Sequence, residues 1–313
     1  MVCLRMILAM LFCLTAAAGA SGSDGVADRA LLQRASGSEI LSAACNRLMT
    51  PIFDAAAAES TSGTADANLK AMTRFILSGH ETPARINCAR RLANVQKLNA
   101  DSSKSGYARA ANVVVLSMFE SADPEIREGA ANALWGTVYP ENGRALLRHA
   151  LNDPSPVVAA ASFENLLYPM DADIKISHDG PRYRDAISRG LASNDDRVVA
   201  GALSAFAEYS PYDADSLLRR YAVGKRPVVR RGAIDAYNGV MRINPGMVRF
   251  VESRLSDADV DVRDSVMLQL FRWGDHHALP KIAHLARTAP TAEERSTARK
   301  FEAALKTQPD ILH

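Results

Sequence analysis

The chain has 313 residues, 48% of them hydrophobic and 23% charged, a balance that suits a water-soluble globular protein and excludes a disordered or fibrous one. Thirty-seven Lys and Arg stand against 35 Asp and Glu, so the net charge of +2 is too small for a protein whose main task is to wrap nucleic acid. Only 6% of residues are aromatic while Ala and Leu abound, which points to helices packed through small side chains.

Residues 1–20 read as a leader. Arg5 supplies a positive start, residues 6–18 an apolar run of h-region length, and Ala18-Gly19-Ala20 a small-x-small cleavage pattern. A membrane anchor needs about 20 consecutive apolar residues, and here Gly and Ser come first. Lipidation requires a small residue before the modified cysteine, and Phe12 precedes Cys13. The expectation is a signal peptide cleaved after Ala20 and a soluble mature chain, periplasmic or secreted, with no membrane insertion. Cys3 and Cys13 then leave with the leader, so Cys45 and Cys88 are the pair left in an oxidising compartment. A bond between them closes a loop of about 40 residues and contributes about 4 kcal/mol in the chain-entropy account. The alternative is two separately buried thiols, since bridging requires Cα atoms within about 7 Å.

Residues 21–79 form the next segment. Within it, residues 28–53 predict one or two amphipathic helices that cap whatever follows, whereas the small and polar stretches 55–68 and 101–106 read as loops. Residues 107–119, YARAANVVVLSMF, predict a buried helix.

From about Thr82 the sequence repeats. Segments such as PEIREGAANAL (124–134) and PVVRRGAIDAY (227–237) align so that Ile126, Val158, Val198, Val229, Val262 and Glu294 share one position, at spacings of 32, 40, 31, 33 and 32. A weaker copy at 83–92 places Ala84 there. A small or apolar residue recurs four positions on (Cys88, Ala130, Ala202, Ala233, Val266, Ala298) and another at seven or eight, which makes one helical stripe. Gly136, Gly239 and Gly274 close three of the segments, where a helix end favours left-handed backbone. Trp135 and Trp273, beside two of these glycines, predict core. A second apolar helix pattern follows each copy, at 143–151, 181–191, 213–222, 245–255 and 278–286. A single helix–turn–helix unit cannot bury its own apolar faces, so such units must stack.

The run of Asp, then Val-Arg, then spaced Ala and Leu resembles HEAT repeats, the short bacterial kind also found in phycobilin lyases, over residues 80–305. The resemblance implies an all-α fold: a right-handed α-α superhelix, or HEAT-like solenoid, with an N-terminal helical cap and a loose tail at 306–313.

The chain has no Gly-rich phosphate loop, paired-cysteine zinc spacing, His-Glu-x-x-His or Gly-x-Ser-x-Gly elbow. No catalytic residue, cofactor or metal is assigned. Asp171, Asp173, His178 and Asp179, in the turn that holds the extra residues of the 40-residue spacing, match no ligand pattern, nor do His276, His277 and His284. Arg85, Arg127, Arg230, Arg263 and Arg295 recur at one repeat position, with Asp123, Asp153, Asp195 or Asp257 just upstream, and predict a ladder of Arg–Asp hydrogen bonds between neighbouring repeats. Ala159 and Val199 interrupt it. The second helices carry eleven cations against four acids. Such a row suits an anionic partner, although cations also favour helix C-termini by about 0.3–1 kcal/mol each. In the densest stretch, 217–231, Arg219, Arg220, Lys225, Arg226 and Arg231 are the candidate partner-binding residues, with an acidic run at 257–264 available to neutralise them. The functional expectation is an exported non-enzymatic scaffold that binds a protein or another anionic partner and no nucleic acid. The alternative that the resemblance implies is a lyase or transferase related to the phycobilin lyases.

Overall fold

A computed structural model describes residues 24–309, apart from 35–36, 59, 61, 79–81, 98–105, 136–138 and 167–179. The leader, residues 101–105, Gly136, the turn with Asp171, Asp173, His178 and Asp179, and residues 310–313 lie outside the described residues. Among the described residues every regular element is helical. By its contacts the chain divides into two compact units, residues 1–139 and 140–313.

The first unit contains α1 (Asp24–Arg34), α2 (Ser38–Ala57), α3 (Gly63–Ser78), α4 (Thr82–Ala93), α5 (Gly106–Met118) and α6 (Pro124–Ala133). Helices α2, α4 and α6 pack in one file, while α3 packs on α2 and on α5. Residues 21–79, the expected cap, hold α1, α2 and α3, with α1 packed on both of the others. Helix α3 corrects the loop expected at 55–68: Ala65, Asn68, Met72, Phe75 and Ile76 form a buried stripe at helical spacing, and burying it outweighs the weak helix propensity of the polar residues at its start. Cys45 in α2 and Cys88 in α4 are fully buried and joined by a disulfide with Cα atoms 5.6 Å apart. Leu41 and Cys45 occupy in α2 the places that Ala84 and Cys88 occupy in α4. Helix α5 is not buried all round, because Val113 is 58% exposed on its outer face.

The second unit contains α7 (Pro140–Asn152), α8 (Pro156–Asn165), α9 (Gly180–Leu191), α10 (Asp196–Tyr209), α11 (Ala214–Ala222), α12 (Pro227–Asp235), α13 (Pro245–Ser253), α14 (Val260–Trp273), α15 (Leu279–Thr288) and α16 (Ala292–Thr307). Helices α8, α10, α12, α14 and α16, the first helices of the repeats, pack in file, and each of α7, α9, α11, α13 and α15 packs on the first helix that follows it. The turns that start the first helices carry their own stops and starts. Asp195, Asp259 and Thr291 accept hydrogen bonds from first-turn amides, and Pro156 and Pro227 occupy first positions where no amide hydrogen is missed. The stripe residues Ala202, Ala233, Val266 and Ala298 are fully buried, and the last three belong to one core with Leu218, Val251 and Ile282 of the second helices.

The file of first helices is close-packed at glycines inside the helices. A Cβ on Gly201 would lie 2.5 Å from the backbone oxygen of Ala160, and one on Gly232 would lie 2.7 Å from the Ala200 Cα. Glycine inside a helix costs about 0.5–1 kcal/mol relative to alanine, so its presence here reflects backbone meeting backbone. Gly201→Ala is expected to destabilise by about 1–2 kcal/mol net of the helix gain, since overpacking typically costs about 1–3 kcal/mol. Gly106→Ala, where nothing lies within 4 Å of the added carbon, is expected to be neutral or stabilising. Urea unfolding of the two variants compares them directly.

Two expectations at the helix ends need correction. Gly274 does take the left-handed conformation, at φ 64°, but Gly239 ends a short 3-10 turn (Ala236–Gly239) and is required instead because its Cβ would crowd the Glu208 amide nitrogen at 3.1 Å. Trp273 is core, whereas Trp135 is 42% exposed.

Candidate functional site

The repeated arginines act mainly on backbone. Arg85 donates to the carbonyls of Ile76 and Leu77, Arg127 to those of Ser121 and Ala122, Arg230 to those of Gly224 and Lys225, and Arg295 to those of Ala289 and Pro290. Arg263 donates likewise to the Asp257 carbonyl. Arg85 thus serves carbonyls in the last turn of α3, and the other guanidinium groups serve carbonyls of the turn that follows the preceding helix. This corrects the expected Arg–Asp ladder. Asp123 and Asp195 are instead N-caps, and Asp153 accepts from the Ser155 amide and pairs with His149 at 2.9 Å. Two of them add an ion pair to the next repeat: Arg230 with Asp257 at 2.7 Å, and Arg263 with Glu294 at 2.6 Å. In the two repeats where Ala159 and Val199 replace the arginine, those residues are buried as small hydrophobes.

Asp257 gathers several donors. It accepts from Arg230 on both oxygens, from Arg254 and from the Asp259 amide. Burial pulls its pKa upward, but the hydrogen bonds from Arg230, the Asp259 amide and Arg254 outweigh that and hold it at about 2, below the ordinary 3.8. A depressed carboxyl stabilises the fold above its unfolded pKa and loses that contribution as pH falls through the folded value. Acid unfolding is therefore expected to draw on this site between about pH 4 and pH 2. Asp257→Asn should lower the melting temperature at neutral pH, with the gap to the unsubstituted protein closing across that window, as pH-dependent thermal melts would measure.

The five candidate partner-binding residues divide by what holds them. Arg226 pairs with Asp196 at 2.8 Å, and Arg231 approaches Asp235 and Asp261 at 3.5 and 3.9 Å. The acidic run at 257–264 thus neutralises part of the cluster, through Asp257 on Arg230 and Asp261 on Arg231. Lys225 and Arg220 are exposed and make no ion pair with a described residue, although the Arg220 guanidinium stacks over the Tyr221 ring at 5.5 Å. Arg219 donates from Nε to both oxygens of Asp215, at 2.9 and 3.0 Å, and lies over the Phe250 ring at 4.6 Å. Tyr237 donates to the same Asp215 at 2.8 Å. Burial first, and then this bond, hold its phenol well above its usual pKa, so it stays a donor.

On the other second helices the cations also differ in their partners. Arg189 approaches Asp185, Arg254 pairs with Asp257, and Lys281 with Glu252. Arg144, Arg249 and Arg287 are exposed with no ion pair to a described residue. His276 binds the Gln308 carbonyl at 2.9 Å, His284 is exposed, and the described residues hold no group of three or more His, Cys, Asp or Glu able to bind a metal. No described helix is long and apolar enough to cross a membrane. Sequence reasoning missed Phe250 as the platform for Arg219; the signal was an aromatic residue about one repeat further along, at the matching second helix.

No family model matches the chain, and no curated protein matches it by sequence. Among solved structures it is similar to Escherichia coli YibA at 17% identity, covering 86% of this chain and 87% of that one with a TM-score of 0.46. It is also similar to the complex of CpcE and CpcF of phycocyanin lyase from Nostoc sp. PCC7120, at 16% identity over 93% of this chain and 98% of that one, TM-score 0.47. An engineered protein matches at 17% identity over 89% of this chain and 96% of that one, TM-score 0.26. At TM-scores below 0.5 these likenesses assign neither an activity nor a partner to this chain.

Proposed function

We propose that this chain is an exported, non-enzymatic α-solenoid of the HEAT-like, right-handed kind, whose second helices in residues 140–313 bind an anionic partner, a protein in the first instance. The observation that carries this reading is the division of labour among the arginines. The repeat-position arginines of the first helices are spent on carbonyls and acids of the fold, whereas Arg144, Arg220, Arg249 and Arg287 lie exposed on the second helices α7, α11, α13 and α15 without an acid partner among the described residues. Helix C-terminal preference accounts for a cation near the end of a helix but not for Arg249, which sits mid-helix in α13. Of the candidate residues, Arg219, Arg220 and Lys225 are offered to the partner, with Arg226 and Arg231 contributing once exchanged from Asp196 and Asp235. The leader pattern and the buried cystine support a periplasmic or secreted location. The lyase or transferase alternative rests on resemblance alone.

The test is crosslinking in the intact envelope followed by purification, with the triple reversal Arg220→Glu, Lys225→Glu and Arg249→Glu beside the unsubstituted chain. A stoichiometric protein that is recovered with the unsubstituted chain and lost with the triple variant is the expected result. Undiminished recovery refutes the assignment, and a bound chromophore or metabolite in place of a protein favours the enzyme.

A further inference from the structure

The half-exposed Arg219 has its orientation built in. Its Nε hydrogen is committed to Asp215, and Asp215 is fixed in turn by the Tyr237 hydroxyl at 2.8 Å. Its guanidinium carbon lies over the Phe250 ring of the neighbouring second helix, 4.6 Å from the centroid. Both Nη groups are left without an acceptor among the described residues, while the side chain stays 34% exposed. A guanidinium held this way presents a planar fork of N–H donors that matches a carboxylate with two parallel hydrogen bonds, and little rotamer entropy remains to be lost on binding. Arg220 follows it in α11 and Arg249 precedes Phe250 in α13, both exposed.

Resting on the partner-binding reading above, we infer that Arg219 is the anchor of the face: it receives a side-chain carboxylate of an acidic polypeptide segment in bidentate fashion, with Arg220 and Arg249 engaging flanking acids. A polypeptide fits better than a phosphate polymer because the surrounding surface is mixed. Asp213 and the apolar Tyr212 and Val223 are exposed among the cations. Such a surface repels an unbroken row of phosphates and accommodates acids interspersed with apolar side chains.

The test is a fluorescence-anisotropy titration of the purified protein with fluorescein-labelled decaglutamate and, separately, with a labelled ten-unit polyphosphate at low salt. The expected result is that decaglutamate binds more tightly than polyphosphate. Arg219→Lys, which keeps the charge but loses the fork and the stacking, should weaken it about tenfold. Phe250→Leu, which leaves the Asp215 pair in place, should do so similarly. Arg197→Lys, at an exposed arginine of the first helix α10 outside this face, should change it less than about twofold, with thermal melts of all variants confirming the fold. Equal small losses from Arg219→Lys and Arg197→Lys would show diffuse attraction and overturn the anchor while leaving the basic face in place. Tighter binding of polyphosphate would overturn the polypeptide, and no binding of either probe would overturn both the anchor and the face.

Discussion

Arg263→Ala is expected to destabilise the protein by about 3–5 kcal/mol, because it strands a buried carboxylate. Glu294 is 2% exposed, at a repeat position that is apolar in most other copies, and its partner is the Arg263 guanidinium at 2.6 Å. The same guanidinium serves the Asp257 carbonyl, which also loses its donor. Glu294→Val alone should be destabilising too, since it leaves a largely buried arginine without its acid. The double variant Arg263→Val with Glu294→Val should recover most of the loss. It installs residues that other repeats already use, Val199 at the arginine place and Val229 or Val262 at the reference place, and a buried ion pair replaced by apolar residues is typically neutral or stabilising by about 1–4 kcal/mol. Urea unfolding of the four proteins gives the cycle, and additive losses in the double variant would show that the two side chains do not act as a pair.

Removing the cystine, as Cys45→Ala with Cys88→Ala, is expected to cost about 4 kcal/mol in the chain-entropy account, for a cross-link spanning a sequence separation of 43. The loss should be confined to the first unit, because the bond ties α2 to α4. Hydrogen exchange is the decisive measurement: amides of α2 to α4 should lose protection while those of α10 to α16 keep theirs. Mass spectrometry of the native protein without reductant should find neither thiol free. Reductant without denaturant should act slowly, because both sulfur-bearing residues are fully buried.

Much of the helical order was readable from residue spacing. The stripe that runs from Ile126 to Ala130, or from Val262 to Val266, has one period that only a helix satisfies, and the caps at Asp195 and Asp259 sit where turn acids precede it. Helix α3 was not readable, because its first turn is Gly, Thr, Ala and Asp, residues that suit a loop until Met72, Phe75 and Ile76 find a neighbouring helix to cover them. Glu294, the charged residue among otherwise apolar ones at the shared repeat position, is one half of an ion pair whose other half lies a full repeat away. The candidate cations were visible as a cluster, but no spacing rule separates Arg226, which reaches Asp196, from Lys225 beside it.

Sequence alone determined the helical period and the pairing of helices into repeats, because these follow from local geometry and from counting. Tertiary structure decided what each charge is for. An arginine satisfies whichever carbonyl, carboxylate or ring is within about 3–6 Å of it, and those neighbours come from elements some thirty residues apart whose approach is fixed only when the glycines at 201 and 232 let the first helices touch.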